Sequence, residues 1–260
     1  RRPPRSTLFP YTTLFRSDFD SYDLSSWRIG GFGGAPMPIA TIEKLDAKIP
    51  GLKLANCYGA TETTSPSTLM PGELTAAHID SVGLPCPGAE IVVMGPDGRE
   101  VPRGEIGELV HRGPNVMMGY YKDPKSTEEA RKFGWHHTGD VALIDANGEV
   151  LFLDRKKDMI KSGGENVASV KIEETLLAHP AVQNAAVVGL PHPQWGEAVS
   201  AFVKLKPGAV ADEAGIEAHC RKHLGGFQVP RLVRILEEMP MTATGKLRKV
   251  ELRQQYSGHF

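Results

Sequence analysis

Four short stretches of this chain combine residue types that handle charge, phosphate or sugar hydroxyls. Tyr58-Gly59-Ala60-Thr61-Glu62 sets a ring, a hydroxyl and a carboxylate within five residues. The ring can cover a flat base, and the two oxygen donors suit a hard cation such as Mg²⁺. A plain turn would use the same residues. Thr138-Gly139-Asp140 follows Gly134-Trp135. An Asp behind a tight Gly turn can accept hydrogen bonds from both hydroxyls of a ribose, as acidic residues do in dinucleotide folds. Asp is equally common as a turn or cap residue. Asp154–Asn166 (DRKKDMIKSGGEN) holds four cations and two glycines in thirteen residues. Such a run can grip phosphate, or it can be a solvated charge run at a domain boundary. Pro240–Lys246 (PMTATGK) places Lys246 on a loop of small polar residues, where its ammonium can extend into a cleft. Loop lysines are exposed in most proteins whatever their role. His111, His136 and His137 lack the partner ligands and spacing of a metal site, and are read as structural.

These stretches need elements to hold them. Residues Asp18–Pro71 have an αβ texture. Trp27–Phe32 is a short strand, followed by Gly34, Ala35 and Pro36 in a glycine-rich turn. Ile39, Ile42, Leu45 and Ile49 fall at helical spacing, which predicts a helix over Ile39–Lys48. Leu52–Asn56 is a second strand, and it runs into Tyr58. From Asp80 to Leu153 short strands alternate with turns: Ala89–Met94, Gly107–Gly113 and Gly148–Asp154. They predict a small antiparallel, barrel-like subdomain. From Arg155 onward the pattern is a compact α+β module. Its helices are Val170–Ala178, with Ile172, Leu176 and Leu177 on the apolar side, and Glu213–Leu224. Its strands are Ala185–Leu190, Val199–Leu205 and Leu232–Leu236. The fold class is thus α/β and α+β, divided as 18–153 and 154–260, with a short charged junction that suits a hinge.

Composition limits the function classes. The chain has 260 residues, 40% hydrophobic and 23% charged, with a net charge of −1. That is the ordinary globular range. It provides no strong field to attract nucleic acid or anionic lipid. No apolar run approaches the ~18 residues of a membrane span, and no secretory leader is visible. Cys57, Cys86 and Cys220 form no CxxC pair, which fits a reducing, cytoplasmic compartment. Nothing indicates an oligomeric state. Thr7–Ser17 (TLFPYTTLFRS) resembles the translation of a common sequencing-adapter oligonucleotide. Residues 1–17 are therefore expected to be such an artefact or a disordered arm.

Taken in order, the motifs resemble the adenylate-forming superfamily of acyl-CoA synthetases, luciferases and peptide-synthetase adenylation domains. The resemblance covers nearly all of Asp18–Ser257. It is carried by Gly33–Pro36, GELVHRGPNVMMGYY at Gly107–Tyr121, GWHHTGD at Gly134–Asp140, DRKKDMIKSGGENV at Asp154–Val167 and TATGKLRK at Thr242–Lys249. It implies ATP-dependent activation of a carboxylic acid to an acyl-adenylate, then transfer to a thiol. The small-molecule partners would be the acid, ATP with Mg²⁺, and coenzyme A. It implies that Gly34, Ala35 and Pro36 line the adenine and acyl pocket, with Gly59 beside it. Tyr58 would stack on adenine, and Thr61 and Glu62 would serve phosphate and Mg²⁺. Asp140 would hold the ribose hydroxyls with Arg155 close by, and Asp154 would be the hinge. Gly163 and Gly164 would border the path of the thiol arm, where a side chain would block it. Lys246 would bridge carboxylate and α-phosphate, and with Glu62 form the catalytic pair.

The subfamily is set by less. Ser162–Val167 (SGGENV) resembles fatty-acyl and aryl CoA ligases. Peptide-synthetase domains usually carry an Arg near Asn166, and luciferases typically end in a peroxisomal tripeptide, which Ser257–Phe260 is not. The family's upstream glycine-rich loop ending in Pro-Lys-Gly is not in this sequence. The expectation is therefore a C-terminal half, weak or inactive in isolation. A non-catalytic AMP- or CoA-binding remnant and a peptide-synthetase adenylation fragment are the alternatives. The acyl group itself is not readable.

Overall fold

A computed structural model describes residues 21–34, 37, 39–75, 77–242 and 246–260. The Thr7–Ser17 segment and the site candidates Ala35 and Pro36 lie outside the described residues. Two compact units account for the fold, one spanning Trp27–Met159 and the other built on Ile160–Phe260.

The first unit opens with β1 (Ile29–Gly33), α1 (Ile39–Lys48) and β2 (Lys53–Tyr58). β1 and β2 are parallel, with Ile29 opposite Lys53 and Gly33 opposite Cys57. Parallel neighbours need a crossover, and α1 supplies it. The helix buries Ile42 and Leu45, two of the residues that give it its period. β3 (Thr68–Met70) and β4 (Leu84–Pro85) extend the sheet antiparallel, in the order β1-β2-β3-β4. Neither was evident from periodicity, because two- and three-residue strands are too short to show one.

The expected small β subdomain is a five-stranded antiparallel sheet. It contains β5 (Glu90–Met94), β6 (Gly107–Arg112), β7 (Arg131–Lys132), β8 (Trp135–Ile144) and β9 (Val150–Arg155). The order is β5-β6-β8-β7, with β9 also paired to β8. Ile91, Val93, Leu109, Ala142 and Val150 form its core, and Tyr58 packs against that core. The short helix α2 (Pro124–Glu129) starts with Pro124, where no N–H is needed. The Asp123 side chain caps it by accepting from the Ser126 N–H at 3.0 Å. One finding differs from the sequence reading. Gly139 was expected in a tight turn, but it lies inside the ten-residue strand β8, with φ 72°. Register shifts occur between Glu108 and Val110 and between Val141 and Ala142, the local irregularity that re-aims side chains.

The second unit contains β10 (Ile160–Ser162), β11 (Glu165–Val167), α3 (Ser169–Leu177), β12 (Val182–His192), β13 (Gly196–Leu205), α4 (Glu213–His223), β14 (Leu232–Ile235) and α5 (Lys249–Gln255). The sheet order is β11-β10-β13-β12, and β14 lies parallel to β13. Alternate residues of the long hairpin face opposite ways. Ala185 and Val187 join Ile172, Leu176 and Ile216 in one core, while Ala186, Val188 and Leu190 join Phe202 and Leu252 in another. Both faces are therefore covered, which is why β12 reads as a nearly continuous apolar run. The charged run that begins at Asp154 starts within β9, so the first unit extends through Met159.

Candidate functional site

The carboxyl ends of parallel strands in an open α/β sheet are where ligands gather. Here β1 delivers Gly33 and Gly34, and β2 delivers Tyr58 and Gly59. A Cβ on Gly33 would lie 2.0 Å from the Cys57 carbonyl oxygen, so only glycine lets the two strand ends approach this closely. Gly34 has φ 77° and open space around its Cα. Gly59 is closely surrounded, since a Cβ there would meet Ser65 Oγ at 2.7 Å. Thr61 and Glu62 then form a single 3-10 turn with Thr63. That turn is braced from inside. Thr63 Oγ1 accepts from the Ala60 N–H at 3.1 Å and from Ser67 Oγ at 2.7 Å, and Asn115 Nδ2 donates to the Thr63 carbonyl at 2.9 Å.

Asp140 comes to the same place from β8. The Tyr58 hydroxyl donates to Asp140 Oδ2 at 2.5 Å, and Arg155 Nε lies 3.8 Å from Asp140 Oδ1. Asp140 pairs with Arg155 across β8 and β9. Burial pushes the Asp140 carboxyl above its ordinary range, against the downward pull of the Tyr58 bond and the Arg155 charge. Burial, then the charge of Asp140, raises the Tyr58 phenol far above its usual range, so it stays a proton donor. The strand segment that carries Asp140 is clamped by Glu108. Its Oε1 accepts from the Gly139 N–H at 3.1 Å, while Oε2 lies 3.1 Å from His137 Nδ1 and accepts from Lys156 Nζ at 3.0 Å. Burial alone would raise the Glu108 carboxyl, but the bonds from His137 and Lys156 bring it below its usual range. Thr138 Oγ1 donates to the Leu109 carbonyl at 2.6 Å and accepts from the Asp140 N–H at 3.0 Å.

Glu62 is half-buried. One of its carboxylate oxygens accepts from the Tyr120 hydroxyl at 2.9 Å, and its carbonyl accepts from the Met117 N–H at 2.7 Å. A single fixed carboxylate with a neighbouring hydroxyl, from Thr61, fits the way Mg²⁺ is held, since that ion takes one or two carboxylates and fills its shell with water and phosphate oxygens. His111 lies behind Tyr58, edge-on, with ring centroids 6.2 Å apart. It is 1% exposed, and neither ring nitrogen has a hydrogen-bond partner among the described residues. Burial, with a smaller contribution from His136, lowers His111 to about 4, so it is neutral at physiological pH. Glu108, Tyr120 and His111 were not read as site residues. Each is distant in sequence from the residue it touches, so only the folded chain shows the connection.

Four further candidate residues have local settings of their own. Asp154 is buried within β9, where its Oδ1 accepts from the Arg155 N–H at 2.7 Å. Gly163 and Gly164 form the two-residue turn between β10 and β11, with φ 61° and 87°. Two left-handed positions are what a tight hairpin of this kind requires. A Cβ on Gly163 would also strike Trp195 at 2.8 Å, whereas one on Gly164 would meet nothing. The turn is thus one physical reason for glycine at both positions. Lys246 is exposed. Its N–H donates to Thr242 Oγ1 at 3.0 Å and its carbonyl accepts from the Thr242 N–H at 2.7 Å, which fixes its backbone.

Comparison with known proteins gives a consistent set. The family described as AMP-binding enzyme matches residues 8–121, and the family described as AMP-binding enzyme C-terminal domain matches residues 171–246. The first match begins inside the N-terminal arm set apart by the sequence reading. A long-chain-fatty-acid–CoA ligase of Salmonella typhimurium is 39% identical over 260 residues, covering 98% of this chain and 46% of the ligase. Among solved structures, ATP-bound MatB from Rhodopseudomonas palustris superposes with a TM-score of 0.81 at 35% identity, over 89% of this chain and 46% of MatB. The o-succinylbenzoate CoA synthetase MenE of Bacillus subtilis, in complex with its acyl-adenylate intermediate OSB-AMP, gives 0.83 at 32% identity, over 94% and 49%. The chain thus spans about half the length of the curated relatives it matches.

Proposed function

The chain belongs to the AMP-binding enzyme family, and from that premise we propose that it carries the nucleotide site of an AMP-forming acid–thiol ligase. In this reaction a carboxylate oxygen attacks the α-phosphorus of ATP, and the bond to pyrophosphate breaks. The thiol of coenzyme A then attacks the acyl carbon, and AMP leaves. The observation that supports the reading best is the Tyr58–Asp140–Arg155 group beside the carboxyl ends of β1 and β2. Asp140 is a pre-positioned acceptor for ribose hydroxyls, and Arg155 stands next to it. Tyr58 offers its ring to adenine, bordered by Gly34 and Gly59, and the family resemblance assigns Ala35 and Pro36 to the same pocket. Thr61 and Glu62 face the phosphates, where bound Mg²⁺ would neutralise developing charge.

The remaining roles extend the same proposal. Lys246 supplies a mobile cation to the α-phosphate, since a flexible ammonium can arrive for one step and withdraw for the next. Asp154 marks the turning point for that withdrawal, and the Gly163-Gly164 hairpin borders the thiol. The acid is of the fatty-acyl or aryl class, following the names of the relatives.

Calorimetry with AMP tests the site directly. Asp140→Ala should weaken AMP binding by about tenfold or more, the effect of removing one charge-assisted contact. An unchanged affinity would overturn the assignment. Wherever ATP–pyrophosphate exchange is measurable, Lys246→Ala should lower its rate by about 10²–10³ and leave AMP affinity intact.

A further inference from the structure

A second group of polar side chains lies in the Ile160–Phe260 unit, and the nucleotide site makes no use of it. His219 and His223 are one turn apart on α4, so their rings lie on one face of the helix. The ring centroids are 4.5 Å apart. His219 Nε2 is 3.0 Å from the Thr175 carbonyl oxygen, and His223 Nδ1 is 2.8 Å from the His219 carbonyl oxygen. A carbonyl can only accept, so each contact fixes where the ring proton sits. That leaves a lone pair on Nδ1 of His219 and on Nε2 of His223. Metal-ligating histidines are oriented in this way, with the far N–H given to a backbone carbonyl.

His179 completes the surroundings. Its ring meets His219 edge-on, with centroids 5.1 Å apart. Its Nδ1 accepts from the Ala181 N–H at 3.2 Å, so its proton is on Nε2 and it has no lone pair to offer. It walls the pair on one side. On the same helix, Arg221 turns to Glu217, with Nε donating at 3.0 Å, which offsets its charge locally.

We propose that α4 carries a two-histidine site for a late first-row divalent cation, with His219 Nδ1 and His223 Nε2 as the ligands. Rings this close can both reach one ion through bonds of about 2 Å. Among the described residues no three His, Cys, Asp or Glu side chains converge on one point, so water completes the coordination. Imidazole favours Ni²⁺, Cu²⁺ and Zn²⁺, whereas Mg²⁺ requires oxygen. The site is independent of the ligase reading.

Titration of the full chain with NiCl₂ by calorimetry tests the proposal. The expected result is one saturable Ni²⁺ per chain and no binding of Mg²⁺ from MgCl₂. His223→Ala, at an exposed position, and His219→Ala should each weaken Ni²⁺ binding by about tenfold or more. Unchanged melting of the metal-free His223→Ala chain shows that its fold is intact. A double variant, His192→Ala with His259→Ala, removes the two histidines that meet Phe260 and should bind Ni²⁺ like the parent. No saturable Ni²⁺ binding would overturn the proposal. So would binding that survives both helix variants, or binding lost only in the double variant.

Discussion

The β12–β13 hairpin and the β6–β8 pair are both antiparallel, yet they are filled differently. In the hairpin, Ala185, Val187, Val199 and Val203 face one core, and Ala186, Val188, Leu190 and Phe202 face the other. In the β6–β8 pair, Leu109 and Ala142 supply apolar core, while Glu108, His111, His136 and Asp140 place polar groups at or near full burial. The first arrangement gains from removing apolar surface from water. The second gives up part of that gain to desolvated polar groups, and keeps them because they hold Asp140 and Tyr58 in place. Apolar burial and desolvated polar groups are thus weighted differently in these two parts of the chain.

Truncation in the hairpin should give the largest effect. Phe202→Ala removes one of the largest fully buried side chains and should cost about 3–5 kcal/mol. Amide hydrogen exchange across β12 and β13 would measure it. A loss below about 1 kcal/mol would mean that the two-sided core is not the main support of that unit.

Acid should act on the other unit. His111 takes its proton at about 4 when folded, against 6.5 in the free side chain. The unfolded chain therefore binds that proton first. The contribution is fully present above pH 6.5 and is lost as pH falls toward 4, by up to about 3 kcal/mol. Asp140, whose carboxyl is pushed upward, works in the opposite sense. The difference between the parent and His111→Leu, followed by exchange of β6 and β8 amides between pH 7 and 4, is therefore the useful quantity. Parallel curves would show that His111 is not the acid-sensitive group.

The smallest effects separate the two turn glycines. Gly164→Ala has open space and should cost only the left-handed penalty of about 1–2 kcal/mol. Gly163→Ala carries the same penalty plus the approach to Trp195, so it should melt lower. Equal melting temperatures would show that Trp195 moves aside freely.

Much of the fold was legible where burial is apolar and local. Ile42 and Leu45 mark α1, Ile172 and Leu176 mark α3, and the apolar run Ala185–Leu190 marks the centre of β12. The strand extends further than the pattern because Pro191 and His192 still pair with Glu197 and Gly196. β8 was not legible. His136, His137, Thr138, Gly139 and Asp140 carry no apolar alternation, and the segment is a strand because β6, β7 and β9 all bond to it. The same limit applied to the candidate site. Tyr58, Asp140 and Arg155 could be named from their motifs, but the bond between Tyr58 and Asp140 could not. Glu108 was part of the strand read over Gly107–Gly113, with no role of its own. Gly163 and Gly164 were read as clearance for a ligand, and the left-handed hairpin turn is a second requirement that only the structure shows.

The Tyr58–Asp140 bond has one more consequence, in polymer terms. It closes a ring of chain 82 residues long, between the end of a strand in the four-stranded sheet and one in the five-stranded sheet. No local fluctuation can make it, because closure of so long a loop must be offset by contacts formed along the way. The state of the Tyr58 phenol therefore reports when the two sheets have met, and a probe of it times the assembly of Trp27–Met159 as a whole, not of either sheet.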